Sequence, residues 1–168
     1  MSMFEEVQPF SCDRFDDLER FRPRVLVGSA ADVRRMAELA ERQIIDLASV
    51  DHAVFVLTQC GDQPLSDVCR VVLWQTFGVP VYELYVGAQG AVLAFECEAH
   101  ESWHVEAGAK FTMMDGELVV EAGGVTAPTG LTADLEDEIC ACGRAGVRLT
   151  NVRALILISD DQILAATA

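Results

Sequence analysis

The order of apolar segments in the first half of the chain limits its possible folds most strongly. Three short runs, at residues 25–27, 53–58 and 79–85, are rich in β-branched and aromatic side chains, which is typical of buried strands. Two further segments place apolar residues at helical spacing: Val33, Met36, Ala37, Ala40 and Ile44, and then Leu65, Val68, Val72 and Leu73. A capping pair, Ser29 and Asp32, precedes the first of these helices. Strands that alternate with helices predict a parallel sheet with right-handed crossover connections.

The second half of the chain has a different pattern. Short apolar segments at residues 91–95, 103–106, 111–114 and 117–121 indicate antiparallel strands, and Asp115-Gly116 is typical of a hairpin turn: this half should be β-rich. The stretch 122–132 is rich in Gly, Pro and Thr and indicates a loop, and residues 155–158 are predicted to pair with 163–164 as a terminal hairpin.

These patterns together predict an α/β fold in a single domain spanning residues 1–168. A short parallel sheet with flanking helices is expected over about residues 24–90, followed by a smaller antiparallel β portion. The two expected sub-lobes are 22–90 and 91–168. A chain of 168 residues with 51% hydrophobic composition is long enough and apolar enough to bury a core of this kind.

The β-rich half contains four soft metal ligands in two separate places: Cys97, His104, Cys140 and Cys142. Zinc prefers thiolate and imidazole ligands, and four protein ligands leave no open position for a reacting water. Gly143 follows the Cys-x-Cys directly and allows the backbone turn that lets both sulfurs face one ion. The pattern therefore predicts a structural Zn²⁺ site in this β portion, with His100 as an alternative ligand. The other interpretation is that the cysteines are small buried hydrophobic residues.

Composition excludes some classes of partner. The formal net charge is −15 and Lys110 is the only lysine, so the clustered cations that bind nucleic acid phosphates or anionic membranes are missing. No apolar run approaches the roughly 18 residues of a membrane span, and the N-terminus is acidic where a signal peptide is basic. We therefore expect a cytoplasmic protein whose cysteines are thiols or metal ligands rather than disulfides.

Five motifs in order resemble a known family. They are residues 22–29, 61–66 and 77–85, then Glu96-Cys97 with His104, then Cys140-Ala141-Cys142-Gly143-Arg144. Over roughly residues 22–150, this order resembles the middle region of phenylacetate-coenzyme A ligases and coenzyme F390 synthetase-like proteins, which are adenylate-forming acyl ligases. Many members of that family carry a structural zinc, and the resemblance implies the same role here for the four ligands named above.

The chain also departs from that family where adenylation chemistry is expected. No glycine-rich phosphate-binding loop precedes residue 22. Where the family has a Tyr-Gly-x-Thr-Glu motif, this chain has Tyr85-Val86-Gly87-Ala88-Gln89, so the hydroxyl that contacts phosphate and the carboxylate that helps to hold magnesium are both missing. Residues 122–134, where the family's ribose-binding motif is expected, have a different sequence, and residues 1–168 contain no counterpart of the C-terminal domain that carries the family's catalytic lysine. The resemblance therefore implies a relative that does not adenylate.

The sequence supports three functional hypotheses. The first is a stand-alone, zinc-stabilised binding or assembly module without enzyme activity. The second is one component of a split acyl-CoA ligase. The third is a protein that binds a nucleotide or an aryl or acyl ligand without catalysis, at the carboxyl ends of the parallel strands. Candidate ligand-binding residues at that edge are Gly61, Tyr85 and Gly87.

The sequence also allows predictions about protein partners and about the three cysteines outside the predicted metal site. Surface that a larger ligase covers internally is expected to be covered by a homodimer, with Trp74, Phe77 or the terminal hairpin at the contact, or by a separate protein partner. Cys12, Cys60 and Cys69 are interpreted as packing residues rather than nucleophiles.

Overall fold

A computed structural model describes residues 9–10 and 15–155 of this chain. The chain divides into two compact units. The first contains the described residues up to Leu57 together with Leu65–Leu84, and the second contains Thr58–Pro64 and the described residues from Tyr85 onwards. The predicted terminal hairpin lies outside the described residues, apart from its first residue.

The first unit shows the predicted alternation of strands and helices. Its elements in chain order are α1 (Phe15–Phe21), β1 (Val25–Ser29), α2 (Ala30–Glu41), β2 (Ala53–Thr58), α3 (Asp67–Phe77) and β3 (Val81–Val86). The strands are hydrogen-bonded in the order β1-β2-β3, and β1 pairs with β2 in parallel, with Val25 opposite Ala53. The predicted α/β arrangement of this half is confirmed.

Side-chain caps explain where the helices begin. Ser29 caps α2 by accepting a hydrogen bond from the Asp32 backbone N–H at 3.2 Å. Ser66 caps α3 in the same way, with the Cys69 N–H at 3.3 Å. Gly78 ends α3 in a left-handed conformation with a φ of 68°, which a glycine adopts without strain. The helix α2 ends at Glu41, so Ile44, which periodicity predicted on this helix, lies beyond it and is half exposed.

A carboxylate is buried in the core of the first unit. Val54, Val56 and Leu73 are fully buried there. Glu83 on β3 is 2% exposed, and it accepts a hydrogen bond from the Leu65 backbone N–H at 2.9 Å. Bonds of this kind are what make burial of a charged group tolerable.

The second unit is composed of strands. They are β4 (Val92–Glu96), β5 (Trp103–Val105), β6 (Ala109–Met114), β7 (Glu117–Ala122), β8 (Val125–Pro128), β9 (Leu131–Glu136) and β10 (Arg148–Ala154). The last two residues of β3 belong to this unit, and the order continues there as β3-β4-β5-β10-β9, with antiparallel β4/β5, β5/β10 and β9/β10 pairs. A separate antiparallel sheet has the order β6-β7-β8. The predicted antiparallel character of this half is confirmed.

The loop predicted at 122–132 is wrong. Gly123 and Gly124 both have positive φ, 58° and 77°, and they form a hairpin turn that pairs β8 with β7. The strand β9 then begins at Leu131. The composition of this stretch indicated a loop because Gly, Pro and Thr dominate it. The short strands within it are stabilised by pairing with neighbouring strands rather than by the propensity of their own residues.

Among the described helices, none combines the length and the hydropathy that a membrane span requires.

Candidate metal centre

The four predicted metal ligands come from three places in the second unit. Cys97 follows β4 directly, His104 is the central residue of β5, and Cys140 and Cys142 lie in the loop between β9 and β10. Antiparallel pairing puts Glu96 opposite Trp103 on β5, and His104 opposite Arg148, the first residue of β10. Strand register therefore brings together residues that are 43 positions apart in sequence.

The distances between ligand atoms fit a tetrahedral zinc ion. All four atoms lie within 4.8 Å of one another. Two zinc–sulfur bonds of about 2.3 Å at a tetrahedral angle separate the sulfurs by about 3.8 Å, and a sulfur and a nitrogen ligand lie about 3.6 Å apart. The Cys97 and Cys140 sulfurs are 3.7 Å apart, and the Cys142 sulfur lies 3.4 Å from His104 Nε2. The cluster could hold a metal ion, and both its donor set and its spacing suit zinc.

The Cys-x-Cys loop is held in a tight turn by its backbone. The Cys140 N–H donates to the Arg144 carbonyl at 3.0 Å, and the Gly143 N–H donates to the Cys140 carbonyl at 2.8 Å. Gly143 has a φ of +85°, a conformation that side chains other than glycine rarely adopt. This turn directs both sulfurs to the same side, as the position of Gly143 indicated.

The alternative ligand His100 is not part of the cluster. Its Nδ1 lies 3.1 Å from the carboxylate of Glu96, and its side chain is 38% exposed. His104 is buried, with its Nε2 directed at Cys142. The structure therefore places His104, and not His100, in the cluster that could hold a metal ion, a choice that spacing alone left open.

The two buried thiols have opposite pKa shifts. Burial raises the pKa of Cys97 to about 11. The Cys142 backbone N–H donates to Cys140 and lowers the pKa of that thiol to about 6. Because zinc binds thiolates, a metal bound here would displace a proton from Cys140 more readily than from Cys97.

Three residues beside the cluster were not identified from sequence as part of the site. Ser102 Oγ lies 3.9 Å from the Cys140 sulfur. The Phe95 ring stacks on His104, and the Arg144 guanidinium lies over Phe95. The sequence singled out Arg144 only as the residue after Cys140-Ala141-Cys142-Gly143. Its contact with Phe95 depends on strand pairing and could not be predicted from a local pattern.

Tyr85, the first of the three predicted ligand-binding residues, lies in the core of the second unit. Its side chain is 2% exposed and packs against Trp103 and Phe111, with ring centroids 6.1 Å and 6.0 Å away. Burial, with the nearby charges of Cys60 and Asp62, raises the pKa of its hydroxyl to about 12. The tyrosine therefore contributes to packing, and its role toward a ligand stays a prediction.

The two predicted glycines lie where the backbone is crowded or sharply turned. Gly61 donates its N–H to the Thr129 carbonyl at 3.2 Å, and a Cβ on Gly130 would approach the Gly61 backbone to 3.4 Å. A Cβ on Gly87 would lie 3.0 Å from Leu93 Cδ1, which is closer than side chains tolerate without a shift. Both positions have a structural reason for glycine, and their ligand role likewise stays a prediction.

Comparison with known proteins identifies solved structures that share this fold. No family model matches the sequence, and no curated protein matches it significantly. Solved structures do match. An open form of 2-hydroxyisobutyryl-CoA ligase, in complex with an acyl-AMP and CoA, has a TM-score of 0.66 and 13% identity over 82% of this chain.

The chain shares its fold with adenylate-forming acyl ligases. An anthranilate CoA ligase in complex with anthranoyl-AMP matches 84% of the chain at 11% identity, with a TM-score of 0.57. A luciferase-like enzyme from the mealworm Zophobas morio also matches 84% of the chain, at 13% identity and a TM-score of 0.55. The chain spans 35%, 32% and 40% of the length of these three proteins. The expected family fold is therefore confirmed for a portion of such a ligase.

Proposed function

We propose that this chain is a zinc-stabilised binding or assembly module, built on part of the acyl ligase fold and unable to adenylate. The observation that carries the proposal is the tetrahedral spacing of Cys97, His104, Cys140 and Cys142. With all four positions taken by protein, a bound zinc supplies cross-linking rather than Lewis-acid chemistry. It would tie the end of β4, the centre of β5 and the β9–β10 loop together.

The residues beyond β3 support the absence of adenylation. Ala88 and Gln89 lie in a tight turn in which Gly87 donates to the Ala91 carbonyl at 2.9 Å and Gly90 donates to the Gly87 carbonyl at 2.8 Å. Ala88 offers no hydroxyl to a phosphate, and Gln89 offers no carboxylate to Mg²⁺. Phosphoryl and adenylyl transfer depend on positioned phosphates and metal, and loss of one such group alone typically costs about 10² to 10³ in rate.

The surface of α3 supports a role in binding another protein. Four apolar side chains on this helix are between 45% and 76% exposed: Val68, Val71, Val72 and Trp74. Contiguous exposed apolar surface on a folded protein commonly marks an interaction site. Either a second copy of the chain or a separate protein could cover it. A monomeric mass by light scattering at micromolar concentration would count against the homodimer.

Two measurements on the purified chain test the proposal. We expect close to one zinc per chain by plasma mass spectrometry, and no release of pyrophosphate from ATP with any of a panel of aryl and acyl acids. Pyrophosphate release that survives removal of contaminating enzymes would refute the inactive-module proposal. A chain that retains no metal would refute the zinc component separately.

A split ligase is the second candidate. It is favoured by the fold match to ligases of which this chain spans about a third, since another polypeptide could supply the rest of the fold. Ala88 and Gln89 argue against it. Mixing the chain with a candidate partner, and assaying acid-dependent pyrophosphate release, would test it. If no mixture activates any acid, this candidate should be dropped.

A further inference from the structure

Phe95 is placed to fix the ring plane of the histidine ligand. The two residues are register partners on β4 and β5, so their side chains lie on the same face of the sheet. Their rings stack with centroids 5.5 Å apart and planes inclined by 24°. His104 Nε2 lies 3.4 Å from the Cys142 sulfur. Because a ring nitrogen binds a metal along the ring plane, fixing the plane fixes the direction of the ligand.

Arg144 connects this stack to the Cys-x-Cys loop. Its guanidinium carbon lies 5.1 Å from the centroid of the Phe95 ring, an arrangement typical of a cation–π contact. Its backbone carbonyl accepts the Cys140 N–H at 3.0 Å. The contacts therefore form a closed circuit that runs from the loop through Arg144, Phe95 and His104, and back to the loop at Cys142.

We propose that Arg144 is a positioning residue for the metal centre, which acts through Phe95 to hold His104 and the Cys-x-Cys loop in the binding geometry before a metal arrives. This inference rests on the proposed zinc site. Without the contacts of Arg144 and Phe95, the loop that carries Cys140 and Cys142 would become ordered only when the metal binds, and this ordering would lower the affinity for the metal. Groups that touch and orient a metal ligand are typically worth about 10- to 100-fold in metal affinity or activity, which is the range for Phe95; Arg144, which acts through Phe95, should contribute less.

The test compares metal release from a set of variants. Arg144→Gln removes the cation, Arg144→Lys keeps it, and Phe95→Leu removes both contacts of the ring. Arg153→Gln is the matched control, because Arg153 is an exposed arginine on β10 outside the circuit. Each zinc-loaded protein is mixed with excess chelator, and the release rate is followed. The absorption spectrum of the Co²⁺-loaded form and the melting temperature of the metal-free form are also recorded.

We expect Arg144→Gln to release zinc about two- to fivefold faster, which is the range of an exposed cation–π contact. Phe95→Leu should release it about tenfold faster. Arg144→Lys should stay close to the wild type, and Arg153→Gln should match it. The Co²⁺ spectrum should change in Arg144→Gln, which a purely structural role would not produce, while the metal-free melting temperature falls by at most about 2 to 4 °C, the loss expected from the contact itself.

Three results would overturn the inference. One is zinc release from Arg144→Gln at the wild-type rate. Another is equal impairment of the Gln and Lys variants, which would exclude the cation as the cause. The third is a Phe95→Leu/Arg144→Gln double variant whose effects multiply, because a residue that acts through Phe95 adds nothing once Phe95 is gone. If the wild type itself retains no zinc, the proposed function fails along with the inference, whereas the three results above leave the zinc site standing.

Discussion

Replacement of Cys142 by serine separates the contribution of a bound metal to folding stability from the contribution of side-chain packing. Cys142 is the one ligand of the four that is only partly buried, so a serine should fit there with little loss of packing. The substitution nevertheless removes a thiolate from a four-ligand site. A ligand that binds only the folded state stabilises it by about 4.1 kcal/mol when free ligand is 1,000 times its dissociation constant. For a protein of this size, that corresponds to roughly 8 to 16 °C in melting temperature.

The assay is thermal unfolding by circular dichroism, with and without a strong chelator, alongside metal content by plasma mass spectrometry. We expect the wild type to lose about 10 °C in chelator. The Cys142→Ser protein should hold little zinc, melt near the chelated wild type, and be insensitive to chelator. Cys60→Ser is the matched control. Cys60 is exposed and outside the cluster, and its sulfur donates to the Pro128 carbonyl at 3.1 Å, a bond that a serine hydroxyl can also make.

One combination of results would refute the reasoning behind this prediction. If wild-type protein contains no metal, and if its melting temperature is the same in zinc and in chelator, the four residues are core and surface residues and not ligands. Loss of metal from Cys60→Ser to the same extent as from Cys142→Ser would also count against this reasoning, because metal retention would then not depend specifically on the cluster.

Three further outcomes follow from individual residues. His104→Ala should abolish zinc retention, whereas His100→Ala should leave it intact, because only His104 lies in the cluster; metal analysis of both proteins checks this. The pKa of Tyr85 rises from 10.0 to about 12 on folding, so its contribution to stability is complete below pH 10 and is lost as the pH rises toward 12. Urea unfolding across that range should therefore show the wild type losing up to about 2 kcal/mol relative to Tyr85→Phe. Ser66→Ala should lower the free energy of unfolding by about 1 kcal/mol, because it removes the cap of α3, and equal denaturation midpoints would exclude a stabilising cap.

Local sequence patterns predicted the regular elements of the first unit well. The Ser29 and Asp32 pair, the buried run at 53–58 and the glycine at 78 all act within a few residues, and the structure has the cap, the strand and the helix end that they indicate. Local patterns did not predict segments that become strands only through pairing with a neighbouring strand. The segment at 125–128 is a strand only because β7 lies beside it.

The chemical type of the candidate metal ligands could be predicted from the sequence, because thiolate and imidazole are the side-chain groups that zinc prefers. Which histidine belongs to the set was decided by tertiary structure. His100 and His104 are equally plausible by spacing, but strand pairing turns His104 toward Cys142, whereas His100 contacts Glu96. Tertiary structure also decided the surroundings of Tyr85, which stands at the end of an apolar run in the sequence and packs against Trp103 in the fold. Sequence determines what a side chain can do chemically, and long-range register determines which groups are close enough to do it together.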